Sequence, residues 1–85
     1  LGNAYLSEGR AEEAIPPLAK ATEHDPLYSA AWKARGQALM DAGRPGEAVE
    51  VFDQGIGAAD ERGDRQAAKE MQVFRKRAAK AVGGE

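Results

Sequence analysis

The chain has no cysteine and a single histidine, His24, which excludes disulfide staples, thiolate nucleophiles and zinc sites built on Cys or on three His. β-Branched residues are scarce: Ile15, Thr22, Val49, Val51, Ile56, Val73 and Val82 are the full set. Strands favour such residues and helices favour alanine, which occupies 18 of the 85 positions, so an all-β domain is excluded. No apolar run approaches the roughly 18 residues of a membrane span, and no signal-peptide core is present. What remains is a small all-α domain, expected to be soluble and cytoplasmic. The chain begins at Leu1 rather than methionine, as expected of an excerpt from a longer protein.

Formal net charge is −2, unevenly spread. Residues 1–62 hold six Lys/Arg against eleven Asp/Glu, whereas residues 63–85 hold six against three. A basic tail on an acidic body can touch anions without making the domain a nucleic-acid binder. Arg75, Lys76, Arg77 and Lys80 form the densest basic cluster, with no interleaved aromatics for base stacking. It reads as the solvated face of a helix whose C-terminus favours cations.

Sliding the chain by 34 residues superposes Gly2 on Gly36, Gly9-Arg10 on Gly43-Arg44, and Glu13-Ala14 on Glu47-Ala48. Apolar partners fill the same register: Tyr5 with Leu39, Ile15 with Val49, Leu18 with Phe52, Ala21 with Gly55. Each unit reads as helix, tight turn, helix. In the second unit Trp32, Gly36 and Leu39 recur at helical spacing, Gly43 stops the helix and Pro45 opens the next. Asp25-Pro26 separates the units, because proline pushes its predecessor out of helical geometry. By the same register Gly9-Arg10 predicts a turn in the first unit. Pro16-Pro17 then falls early in the following helix and predicts a bend. Beyond Asp64 a 35-residue shift aligns Ala67, Met71 and Phe74 with Trp32, Gly36 and Leu39. Asp64 is thus expected to N-cap a final amphipathic helix, and about five helices are expected in all.

Trp32, Gly36, Ala48 and Phe52, with the Asp25-Pro26 boundary, resemble the tetratricopeptide repeat. Arg35 and Asp60 depart from the family pattern, standing where leucine and the closing proline are usual. The resemblance covers about residues 1–60. It implies an α-solenoid of antiparallel helix pairs: a truncated first repeat over 1–26, a second over 27–60, and a capping helix over 64–82.

Candidate catalytic groups fail on geometry. His24 with Ser7 or Ser29 would need distant side chains in one pocket, and adjacent Glu12 and Glu13 point about 100° apart on a helix. Gly55-Ile56-Gly57 follows no strand, so it is packing space rather than a dinucleotide loop. No enzyme, cofactor, metal, membrane or nucleic-acid role is expected. The resemblance implies protein–protein interaction, with a peptide lying in the concave groove formed by the first helix of each unit. On that face the expected residues are Asn3, Leu6, Ser7, Lys33, Gln37, Met40 and Asp41, with Arg65, Lys69 and Gln72 added by the 35-residue shift. Asn3, Arg65 and Lys69 fall where some family members grip a C-terminal carboxylate. Lys33, Arg65 and Lys69 outnumber Asp41, so an acidic or carboxylate-ended peptide is expected. The alternative is a scaffold role by self-association, as a homodimer, or by packing against an upstream segment, since two units fall short of the ~3 usually needed for a continuous core.

Overall fold

A computed structural model describes residues 2–83, with side chains from 11 to 83. Four helices follow one another: α1 (Gly2–His24), α2 (Ser29–Asp41), α3 (Pro45–Arg62) and α4 (Arg65–Val82), with no strand among the described residues. Each helix packs on its neighbour in sequence, and α2 also reaches α4 across α3.

The two turns that close the α2–α3 and α3–α4 hairpins are the same device. Gly43 and Gly63 take φ of 77° and 84°, a left-handed conformation that costs glycine little. In the first turn Gly43 N–H donates to Met40 C=O and Arg44 N–H to Leu39 C=O; in the second Gly63 N–H donates to Asp60 C=O and Asp64 N–H to Ala59 C=O. This paired bonding satisfies carbonyls that a helix end leaves open. Pro45 follows at the first position of α3. Asp64 caps α4, its carboxylate accepting from Ala67 N–H at 3.1 Å.

The expected turn at Gly9-Arg10 does not form: α1 runs unbroken from Gly2 to His24, so the described residues hold four helices where about five were expected. The cause is the next residue. Pro45 keeps Arg44 out of the helical region, and Arg44 accordingly sits at φ −120°, ψ 60°. Ala11 occupies the matching place in the first unit and, as the best helix former, lets the helix continue. Pro16 and Pro17 consequently lie inside α1 rather than in the first turn of a helix. They forfeit bonds to the carbonyls of Glu12 and Glu13, but all four residues are exposed, where water can serve those carbonyls.

The core is built from a few large side chains and many small ones. Phe52 and Met71 are fully buried, joined by Trp32, Leu39, Val51 and a set of alanines. Small residues set the helix separation. A Cβ on Gly36 would lie 2.3 Å from the Phe52 ring, and one on Gly55 would lie 2.5 Å from Met71 Sδ and 2.7 Å from Trp32 Cβ. Phe52 stacks on Phe74 with ring centroids 5.8 Å apart, tying α3 to α4. The Trp32 indole donates to Pro26 C=O at 2.7 Å and so anchors the linker between α1 and α2.

Met71, aligned with Gly36 by the 35-residue shift, is fully buried, whereas the helix starts are spaced by one residue more. N-caps Tyr28 and Asp64 lie 36 residues apart, as do the first helical residues Ser29 and Arg65. A shift of 36 brings Trp32 to Ala68, which is buried, and Ala38 to Phe74.

Candidate functional site

The α2–α4 seam is a surface depression with a mixed lining. At one end Ser29 Oγ donates to Asp64 Oδ2 at 3.0 Å, linking the first turn of α2 to the cap of α4. Together with the Ala67 amide, which is the larger influence, this bond holds the Asp64 carboxyl below its ordinary pKa. Midway, Lys33 Nζ donates to Glu70 Oε1 at 2.6 Å. That hydrogen bond and charge hold Glu70 low as well.

Beyond this pair the seam becomes apolar. Val73, Phe74 and Arg77 of α4 flank Lys33, and Phe74 and Arg77 face Gln37, Met40 and Asp41 of α2 across a depression of about 340 Å³. Val73 is 52% exposed, while Met40 and Phe74 are half-buried. The Lys33 ammonium and the Arg77 guanidinium each lie 5.9 Å from the Phe74 ring centroid, so an aromatic floor carries two cations over it.

The α2 residues expected on the concave face, Lys33, Gln37, Met40 and Asp41, all line this seam. Arg65, Lys69 and Gln72 are exposed on α4 but do not line the three depressions described along the seam. Asn3, Leu6 and Ser7 lie outside the residues whose side chains are described. The α4 wall instead comes from Gln66, Glu70, Val73, Phe74 and Arg77, which sequence reasoning did not place there. Glu70 also neutralises Lys33, so the positive excess expected from Lys33, Arg65 and Lys69 is smaller within the seam itself.

A second depression lies between α1 and α2, bounded by Ala11, Ala14 and Leu18 on one side and Ala34, Ala38 and Asp41 on the other. Among the described residues no cluster of three or more His, Cys, Asp or Glu could hold a metal ion, and no helix is long and apolar enough to cross a membrane.

Comparison with known proteins agrees with the helical architecture. A family model described as Tetratricopeptide repeat matches residues 1–65. The TPR repeat-containing protein PA0015 of Pseudomonas aeruginosa is 46% identical over 74 residues, which span 87% of this chain and 70% of that protein. The solution structure of protein BPP2914 from Bordetella parapertussis superposes with a TM-score of 0.78 at 39% identity, covering all of this chain and 74% of that one. With its antiparallel helix hairpins and the glycines that let them pack closely, the chain belongs to the tetratricopeptide repeat family.

Proposed function

We propose that this domain recognises a peptide segment of another protein along the α2–α4 seam. Repeats of this family generally mediate protein–protein interaction and are typically non-enzymatic scaffolds. The observation that carries the finer reading is the seam's lining: exposed Val73 and half-buried Met40 and Phe74 lie beside Lys33 and Arg77 on two neighbouring helices. Apolar floor and charged rim are the usual anatomy of a protein-binding surface.

The ligand that suits it is an extended or helical segment with an apolar anchor and one acidic group, either a side chain or a free C-terminal carboxylate. Val73, Phe74 and Met40 take the anchor. Arg77, whose guanidinium can meet a carboxylate with two hydrogen bonds, takes the acid together with Lys33. Gln37 serves the peptide backbone. Arg65 and Lys69, exposed on α4, add positive potential along the approach. Affinity is expected in the micromolar range, about −8 kcal/mol, because few contacts are available and exposed charges contribute little each.

Titration by fluorescence anisotropy tests this with acidic, neutral and C-terminally amidated versions of one apolar peptide. The acidic and free-carboxylate forms should bind more tightly, and added salt should weaken them. Val73→Glu should weaken all forms, while Lys33→Glu/Arg77→Glu should weaken only the acidic ones. Equal binding by all peptides, or full binding by both variants, overturns the assignment.

A further inference from the structure

The two units present equivalent positions in very different surroundings. In the second unit Ala48 and Phe52 are 0% exposed; Gly36 of α2 packs close against the Phe52 ring, and Phe74 of α4 stacks on it. Their counterparts 34 residues earlier, Ala14 and Leu18, are only half-buried and line the open α1–α2 depression. The missing cover is identified by the same register. The segment that should lie over Ala14 and Leu18 is the one carrying Gly2 and Tyr5, the counterparts of Gly36 and Leu39.

Within one chain that segment is carried away from the depression, because α1 is a single helix through Gly9 and Arg10. At about 1.5 Å per residue, positions 2 and 18 of one straight helix stand about 24 Å apart. We infer that the α1–α2 depression is a docking site for the first two turns of α1 from a second copy of this chain, in a reciprocal, two-fold exchange. The contact is self-complementary, as a closed two-fold dimer requires. Each copy offers one covering segment and one uncovered depression. The exchange repeats in trans the helix-over-helix packing that α2 makes in cis, with Gly2 of one copy against Leu18 of the other. This surface lies on the α1 side of α2 and borders the α2–α4 seam at Gln37 and Asp41. Its test needs no peptide.

The absence of native cysteine makes the experiment direct. In the double variant Gly2→Cys/Leu18→Cys, mild oxidation should give a covalent dimer whose mapped linkage joins position 2 to position 18. A linked monomer would show that the segment folds back on its own chain and would overturn the exchange, as would absence of that linkage. Sedimentation of the unaltered chain provides a second reading: a reversible dimer is expected at tens of micromolar, and a monomer throughout the series overturns the inference. Ala11→Pro restores the Gly-Arg-Pro sequence of the α2–α3 turn at Gly9-Arg10, which should break α1 there. In the background of the two cysteines it should convert the linked dimer to a linked monomer. A linked dimer that persists unchanged would mean that helix continuity at Arg10 is not what drives association, and would also count against it.

Discussion

Alanine substituted for glycine inside a helix ordinarily stabilises, and this fold supplies two sites where the same change should have opposite signs. Gly57 is exposed on α3, and a Cβ there would meet nothing within 4 Å. Gly57→Ala should therefore return the full propensity difference, about 1 kcal/mol. Gly36→Ala gains the same amount but drives its methyl group to 2.3 Å from the Phe52 ring. That ring is fully buried and stacked on Phe74, so it can yield only by moving α3 or α4. Overpacking of this kind costs about 1–3 kcal/mol, and the severity of the overlap places it at the upper end. The net effect is a loss of about 1–2 kcal/mol. For a domain of this size each kcal/mol moves the midpoint by about 4–8 °C, so the two variants should melt about 10 °C or more apart, on either side of the parent. Thermal melts followed by circular dichroism at 222 nm decide it. If both variants melt above the parent, Phe52 is not pinned against Gly36 and the account of the α2–α3 interface is wrong.

Trp32→Ala removes a buried indole and its bond to Pro26 C=O; a loss of about 3–5 kcal/mol is expected, read as a collapse of the urea midpoint, whereas an unchanged midpoint would make the tryptophan peripheral. Asp64 has its pKa lowered in the folded state by the Ala67 amide and then the Ser29 hydroxyl. Its contribution is therefore complete above the ordinary carboxylate value of 3.8 and is lost as pH falls below that through the folded value. Asp64→Asn keeps an acceptor but cannot titrate, so it should melt with a smaller drop between pH 7 and pH 3 than the parent; an equal drop would remove Asp64 from the acid response.

Most of the second unit was readable because its punctuation is chemical. Gly43 and Pro45 dictate a turn by backbone geometry alone, Trp32, Gly36 and Leu39 mark one helix face, and Asp64 is a cap by virtue of its carboxylate. The first unit misled because Gly9-Arg10 carries only half of that signal. Without a proline at position 11, nothing forces Arg10 out of the helix, and local propensity prevails over the repeat. At the site, α2 was legible and α4 was not. A repeat shift carries a residue to the equivalent face of the next helix, but a seam is closed by facing sides of two helices, which differ in rotational phase. The side α2 turns to α1 holds Ala34, Gln37, Ala38 and Asp41; the side α4 turns to α2 holds Glu70, Val73, Phe74 and Arg77, each 36 residues later. One residue of offset is about 100° of rotation, enough to exchange Lys69 for Glu70.

The contact of α2 with α4 across α3 has a consequence for the order of folding. The other helix packings join neighbours through short loops and can form from local encounters, which is the topology of fast-folding helical proteins. Bringing Ser29 to Asp64 and Lys33 to Glu70 requires both the α2–α3 and α3–α4 turns to be in place first. The α2–α4 seam, the smallest of the helix contacts, is therefore expected to close last and to open first. Amides of α2 and α4 near the seam are expected to exchange with solvent through partial opening, with lower protection than those of α3. The peptide proposed for the seam would bridge the two helices with the smallest mutual contact, and so would act as a clasp on the final step of assembly.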